Sequence, residues 1–217
     1  TMDEIIANMV GREITNQFPR DKVPVGKTIM EVKHLNAGRM VRDVSFEVKE
    51  GEVLGFSGLV GAGRTETMRA IFGADPKDPG DAIRHGIVLA PEDRKKEGLC
   101  TKLSIRDNIA LPNLDIICSK TGHINKKTEN EMIEKGKNAL TIKMAGPEIQ
   151  AGSLSGGNQQ KVVVAKWLAR ESRVIIFDEP TRGIDVAAKV EIYEIINDLK
   201  KRGVGVVIVS SEMPEVM

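Results

Sequence analysis

The sequence predicts an α/β fold in which a mixed or mainly parallel core sheet is covered by helices. Two observations lead to this class. The short apolar runs Val174–Phe177 and Val204–Val209 have the length and composition of strands buried on both faces, and the second predicted strand extends to Ser210. Between such runs lie longer segments with helical spacing, for example Val186–Arg202. Strands that alternate with helices favour a parallel sheet, because a helix is the usual crossover between parallel strands.

The other elements follow in chain order. A short helix is predicted over Asp3–Val10, followed by an extended linker. The remaining predicted strands are Ile29–Leu35, Val41–Val48, Glu52–Phe56 and Gly86–Ala90. The remaining predicted helices are Arg64–Phe72, Ser104–Leu111, Asn125–Leu140 and Gly156–Arg170. We therefore expect a small antiparallel β subdomain at the start, a core sheet, and a helical subdomain over about residues 104–152.

Composition excludes several classes of function. The 217 residues include 32 basic and 31 acidic side chains, so the net charge of +1 argues against nucleic acid as a partner. Aromatic residues make up only 3%, which disfavours stacking on bases or sugars. Two cysteines form no disulfide framework and fit a reducing cytosol. No apolar segment approaches the roughly 20 residues of a membrane helix, so we expect any membrane link to run through a partner.

A glycine-rich turn supplies the first candidate site. The segment Gly58–Thr65 follows a predicted strand, opens a predicted helix, and matches the phosphate-binding pattern G-x-x-x-x-G-K-[ST] except at Arg64. Glycines let backbone N–H groups surround phosphate oxygens, and the helix N-terminus adds positive potential. The candidate nucleotide-binding residues are Gly58, Gly61, Ala62, Gly63, Arg64, Thr65 and Glu66. An ordinary strand-to-helix turn is the alternative, whereas a dinucleotide fingerprint is excluded by Glu66.

Two adjacent carboxylates end a buried strand. Val174–Phe177 is followed by Asp178 and Glu179. In a phosphate-loop enzyme the first carboxylate holds Mg²⁺ together with the Thr65 hydroxyl, and the second orients or deprotonates an attacking water. An ordinary solvated turn is the alternative for this pair alone.

The third segment opens a predicted helix. Leu154, Ser155, Gly156, Gly157 and Asn158 place a capping hydroxyl and two glycines at its N-terminus, where an anion is favoured. A well-capped helix without a ligand is the alternative. Taken together and in this order, however, Gly58–Thr65, Leu154–Gln160 and Val174–Pro180 resemble the ATP-binding cassette ATPases over roughly Ile29 to Met217. That resemblance implies ATP and Mg²⁺ as ligands, Glu179 as the catalytic residue, and Leu154–Asn158 as the signature loop.

Further segments resemble one subgroup, the second cassette of monosaccharide importer ATPases of the ribose, galactose and xylose type. These segments are Pro91–Arg94, Asp178–Asp185 and Val209–Val216. The resemblance implies that residues 1–28 are the tail of a preceding cassette plus a linker. Residues 29–217 are then a nucleotide-binding domain truncated at its C-terminus. It also implies three partners: the first cassette of the same polypeptide, membrane permease subunits, and indirectly a sugar-binding protein. The expected location is the cytoplasmic face of the cell membrane.

This chain departs from the family pattern at its nucleotide site. Glu92 stands where the family has glutamine, Ser211 where it has histidine, and Arg64 where it has lysine. No aromatic residue lies between Leu35 and Met40 to stack on adenine. A weakened site is therefore expected, although Glu179 and the signature loop remain intact. Asp185 is a further motif position. In a head-to-tail pair of cassettes, Ser155, Gly156 and Gly157 then complete the partner's ATP site.

The chain is also short at one junction. The family has a strand-containing segment where Gly80 and Asp81 adjoin here. Either those strands are deleted or residues of the natural chain are missing from this sequence; the second is favoured, because a deletion exposes the core of the antiparallel subdomain.

The sequence is compatible with three functions. The leading one is an ATPase domain that powers sugar import, weak or inactive as an isolated domain. The second is a regulatory cassette that binds ATP with little hydrolysis, which Arg64 and Ser211 favour. The third, a soluble cassette of DNA repair or translation, is disfavoured by the neutral charge and the few aromatics.

Overall fold

The computed structural model describes residues 18–59, 61–74 and 79–216. The predicted helix Asp3–Val10 lies outside these residues. Among them, four strands form a fully parallel core sheet in the order β3–β6–β5–β4. Their bounds are β3 Val53–Phe56, β4 Ile87–Ala90, β5 Val174–Asp178 and β6 Gly205–Val209. The predicted parallel sheet is confirmed, and β5 and β6 lie side by side at its centre.

The central strands are buried on both faces. Consecutive residues of β5 alternate between two apolar clusters: Ile175 and Phe177 face one cluster, Val174 and Ile176 the other. Side chains of a strand point to opposite faces with a period of two, so an uninterrupted apolar run is what a doubly covered strand requires.

Helices cover the sheet. Their bounds are α1 Arg64–Phe72, α2 Pro79–Arg84, α3 Ile105–Ala110, α4 Leu114–Ile117, α5 Lys126–Ala139, α6 Gly156–Leu168, α7 Val186–Lys201 and α8 Met213–Val216. A π-helical turn spans Arg94–Gly98, and 3₁₀ turns span Leu111–Asn113 and Ala151–Ser153. Helix α2 runs without a break across the Gly80–Asp81 junction.

The antiparallel subdomain is a separate two-stranded sheet. Strands β1 (Thr28–Ala37) and β2 (Val41–Lys49) pair antiparallel, as predicted. Met30 and Val48 pack with Met68 of α1 in the second apolar cluster. The tip of the hairpin thereby comes to lie over the glycine-rich turn.

The regular elements between residues 104 and 152 are helices. Ser104 and Asp107 form a capping box at the start of α3, which satisfies two otherwise unpaired backbone donors. Arg106 then joins α3 to α5 through Asn130 at 2.7 Å and through Glu129, whose side chain is buried. Ile105 and Ile133 extend the first apolar cluster into this region, so it is packed on the core.

Candidate nucleotide site

The glycine-rich turn has a backbone that only glycine adopts readily. Gly61 and Gly63 have φ angles of 83° and 80°, in the left-handed region. A Cβ on Gly63 would lie 2.8 Å from the carbonyl oxygen of Met40, at the hairpin tip. Gly63 therefore serves two purposes: it caps α1 without a side chain and lets the hairpin approach the turn.

A cavity of about 650 Å³ opens above this turn. The candidate site and motif residues that line it are Gly61, Ala62, Gly63, Arg64, Thr65, Glu66, Glu92, Glu179 and Ser211. It is also lined by Thr181, Arg182, Gly183, Ile184, Lys189 and Glu212, which the sequence interpretation had not singled out. Gly58 lies two residues beyond the end of β3 and does not line the cavity. A cavity of this size is typical of a small-molecule site.

Asp178 lies beneath the cavity and is only 2% exposed. Its Oδ1 atom is buried and accepts no hydrogen bond from the described residues. Burial raises the pKa of Asp178 to about 6, Glu179 adds to the rise, and a hydrogen bond from Thr65 opposes it. A buried carboxylate oxygen without a donor, next to a hydroxyl, fits the oxygen-ligand preference of Mg²⁺.

Glu179 is held by the residue that stands in place of the family histidine. Its Oε1 accepts the backbone N–H of Ser211 at 2.8 Å, and its Oε2 accepts the Ser211 hydroxyl at 3.2 Å. The backbone of Glu179 is left-handed, with φ 47°, and its N–H donates to Val209. A non-glycine residue in this region is uncommon and points to a position determined by its surroundings.

The Arg64 side chain reaches from the start of α1 to the turn after β6. Its Nη1 donates to the carbonyl oxygen of Ser210 at 2.7 Å, just beyond the end of β6. One N–H of the guanidinium is thus engaged by the protein backbone. A lysine offers a compact charge to terminal phosphates, whereas the guanidinium of arginine is planar and wider. Arginine in place of lysine therefore changes how this position can contact a phosphate.

The opposite wall of the cavity is formed by charged pairs. Glu92 forms an ion pair with Arg182. Arg94 donates to the carbonyl oxygens of Arg182 and Gly183 at 2.8 and 3.2 Å. These contacts join the segment after β4 to the turn after β5. Asp185, at the end of that turn, caps α7 by accepting the N–H of Ala188 at 2.9 Å.

The predicted signature loop lies outside this cavity. Ser155 caps α6, accepting hydrogen bonds from the backbone and side-chain nitrogens of Asn158 at 3.4 and 3.0 Å. Ser155 is exposed, whereas Leu154 and Gly156 are partly buried. The loop therefore presents its serine to solvent and not to the chain's own phosphate turn.

Comparison with known proteins identifies the family. Residues 41–182 match the family model described as ABC transporter. The chain belongs to the ABC transporter family. The ATP-binding cassette fold and ATP as its nucleotide follow from that membership.

Curated relatives carry the name ribose import ATP-binding protein RbsA. The protein of Bacillus licheniformis is 48% identical over 99% of this chain, and that of Bacillus subtilis is 47% identical over 99%. In both cases this cassette spans 46% of the relative's length. The alignment with the Lacticaseibacillus paracasei protein extends over 232 positions, 15 more than the 217 residues of this cassette.

Solved structures agree on the fold. A nucleotide-free ATP-binding cassette from an ABC transporter gives a TM-score of 0.68 at 20% identity, covering 88% of this cassette and 83% of that chain. The dimeric bacterial ABC transporter cassette MJ0796 gives a TM-score of 0.68 at 18% identity. That alignment covers 88% of this cassette and 89% of the MJ0796 chain. Within the described residues, no helix of this cassette is both long and apolar enough to cross a membrane.

The cavity residues that sequence reasoning missed share one signal. Thr181, Arg182, Gly183 and Ile184 lie between Pro180 and Asp185, inside a segment already recognised as family-like. Lys189 and Glu212 carry no such signal. They meet across the cavity at 2.9 Å because α7 and the turn after β6 pack together.

Gly157 packs against α7, and this allows a first prediction. A Cβ on Gly157 would lie 2.6 Å from the Cβ of Ala188. We expect Gly157→Ala to reduce the free energy of unfolding by about 1–3 kcal/mol through overpacking, measured by urea denaturation.

The matched test is a double-mutant cycle with Ala188→Gly. That change alone is expected to cost about 1 kcal/mol from helix propensity. In its background, Gly157→Ala should be nearly neutral, because the clash is gone. Equal costs of Gly157→Ala in both backgrounds would show that the close packing is not the reason for this glycine.

Proposed function

We propose that this cassette binds and hydrolyses ATP to drive monosaccharide import by an ABC transporter. The observation that supports it best is the cavity that brings together the phosphate turn, Thr65 and Glu179, with Asp178 beneath it. The relatives' printed name, ribose import ATP-binding protein, supports a sugar importer.

The roles follow from the chemistry of the side chains. Backbone N–H groups of Gly61–Thr65 bind phosphate oxygens at the N-terminus of α1. Thr65 and Asp178 would hold Mg²⁺, which when bound neutralises charge on the phosphates. Glu179 accepts a proton from the attacking water. Ser211 donates to both carboxylate oxygens of Glu179 and fixes its position, while the remaining lone pairs can still accept the proton.

A second cassette completes the site in this proposal. Ser155, Gly156 and Gly157 present the N-terminus of α6 to the ATP of a partner, the preceding cassette of the same polypeptide. The exposed Ser155 supports this role, and so does the length of the relatives, of which this chain spans 46%.

The N-terminal part is proposed to be the tail of that preceding cassette plus a linker, over residues 1–28. The described part of this segment is anchored on the cassette. Asn197 of α7 donates to the Pro19 carbonyl at 2.8 Å, and Lys201 pairs with Asp21 at 2.7 Å. An anchored linker sets the position of whatever precedes it. The nucleotide-binding domain is proposed to be residues 29–217.

The permease is proposed to bind the surface over residues 92–111 and the adjoining short helices. Four large apolar side chains on this surface are between 41% and 47% exposed: Leu103, Leu111, Leu114 and Ile116. Apolar side chains clustered on a surface mark an interaction site. A sugar-binding protein acts only indirectly, through the permease, and the cassette lies at the cytoplasmic face of the membrane.

Titration calorimetry tests nucleotide binding. We expect Mg-ATP to bind this chain with a dissociation constant on the order of tens of micromolar, because a missing adenine stack costs roughly 1–3 kcal/mol. Arg64→Lys should bind more tightly, since its ammonium is free to reach the terminal phosphates. Omitting Mg²⁺ should weaken the binding of ATP to both the unmodified chain and Arg64→Lys. Absence of binding contradicts the proposal, and sub-micromolar binding contradicts a weakened site.

A regulatory cassette with little hydrolysis of its own is the second candidate. Two contacts favour it: Ser211 engages both carboxylate oxygens of Glu179, and Arg64 donates to Ser210. Both reactive groups are thereby drawn toward the turn after β6. ATP turnover by the assembled transporter carrying Glu179→Gln separates the two candidates.

A further inference from the structure

Glu215 is a buried carboxylate outside the cavity. It lies in α8, the single helical turn that follows β6, and is 3% exposed. A charged group is rarely buried unless hydrogen bonds or an opposite charge compensate for lost solvation. Its partners therefore indicate why it is there.

Its two oxygens bind hydroxyls from two different turns. Oε2 accepts the Ser210 hydroxyl at 2.5 Å, in the turn that follows β6. Oε1 accepts the Thr181 hydroxyl, in the turn that follows β5. One carboxylate thus ties together the ends of the two central strands.

The same two turns carry the groups around the proposed reaction centre. Glu179 lies two residues before Thr181, and Ser211 follows Ser210. Ser211 binds the Glu179 carboxylate with its N–H and its hydroxyl, and the Ser210 carbonyl accepts from Arg64. A shift of one turn relative to the other would change these contacts.

The backbone of α8 is also anchored from the side of the linker. Arg20 donates to the carbonyl oxygens of Pro214 and Glu215 at 3.2 and 2.9 Å. Phe18 packs edge-on against Tyr193 of α7, with ring centroids 5.5 Å apart. The backbone around Glu215 is therefore also held from outside the cavity.

We propose that Glu215 is a positioning residue of the ATP site, holding the turns after β5 and β6 together so that Ser211 keeps the Glu179 carboxylate in place. This inference rests on the proposed function for its meaning in catalysis. The contact geometry itself is a property of the protein without nucleotide.

Hydrogen bonds carry this role more than charge does. Lys189 lies 3.8 Å from Glu215, but its closer partner is Glu212 at 2.9 Å. Glutamine at position 215 keeps an oxygen for one hydroxyl and offers an N–H₂ group to the other, whereas alanine keeps neither. The conservative change is therefore expected to preserve the function that alanine removes.

Amide hydrogen exchange of the nucleotide-free chain tests the proposal. In Glu215→Ala, the Ser211 amide should exchange at least about tenfold faster, since its bond to Glu179 opens more often. The Val207 amide in the core sheet should be unchanged. Glu215→Gln should stay close to the unmodified chain. The matched control is Glu194→Ala, an exposed glutamate on α7.

Three results would overturn the proposal: unchanged exchange at Ser211 in Glu215→Ala, equal effects of alanine and glutamine, or equal acceleration at Ser211 and Val207. If Glu215→Ala does not fold, Ser210→Ala takes its place, because Thr181 still compensates the buried carboxylate. Ser210→Ala should accelerate hydrogen exchange at the Ser211 amide and leave exchange at the Val207 amide unchanged. ATP titration of the unmodified chain tests the proposed function separately, so the two failures are distinguishable.

Discussion

Ser155→Arg is expected to reduce ATP turnover of the assembled two-cassette transporter by a factor of about 10²–10³. Removing a single electrostatic stabiliser of a transition state typically costs this much. In the proposed head-to-tail pair, Ser155 serves the partner's ATP, and a bulky guanidinium at the exposed cap of α6 blocks that approach. The measurement is steady-state phosphate release by the purified transporter in membranes.

Glu179→Gln in the same transporter provides the comparison. This change removes the proposed base of the weakened site, so its effect should be no larger than that of Ser155→Arg. The matched control is Glu171→Arg, an exposed position just beyond the other end of α6, which should leave turnover unchanged. If Glu179→Gln abolishes turnover and Ser155→Arg has no effect, this cassette's own site does the work and the asymmetric model is wrong. If Glu179→Gln leaves ATP turnover unchanged, the result favours a regulatory cassette with little hydrolysis of its own.

Asp178→Asn is expected to separate stability from ligand binding. The pKa of Asp178 is raised from 3.8 to about 6, so keeping the carboxylate ionised in the fold costs about 3 kcal/mol at neutral pH. The neutral amide avoids that cost while keeping the volume. We expect the nucleotide-free variant to be more stable by up to that amount in urea denaturation at pH 7.5. The Mg²⁺-dependent part of ATP binding should be lost.

The sign of the pH dependence follows from the direction of the shift. Between pH 3.8 and about 6 the folded state binds more protons than the unfolded state, so the stability of the natural chain falls as the pH rises through this range. The advantage of Asp178→Asn should therefore be full above pH 6 and shrink toward pH 4. A variant that is less stable than the natural chain at pH 7.5, or that keeps Mg²⁺-dependent binding, contradicts the assignment of this carboxylate.

The local sequence by itself predicts the helices, the strands and the phosphate-binding turn. The spacing of Gly58, Gly61 and Gly63 predicts a backbone that binds anions, and the turn adopts left-handed angles at Gly61 and Gly63. Ser155 was expected to cap its helix, and it does. These features depend on neighbours a few residues apart, so their physical causes can be read directly from the sequence.

Tertiary structure decided which groups those residues meet. Arg64 and Ser210 are 146 positions apart, and Thr181 and Glu215 are 34 apart. They meet because β6 is inserted between β3 and β5, which brings the turns after these strands to one edge of the sheet. From the sequence, Ser211 is only a serine at the position where the family has histidine. The fold shows that its backbone N–H donates to Glu179. Strand order is set by packing of the whole chain, and no local spacing encodes such long-range hydrogen bonds.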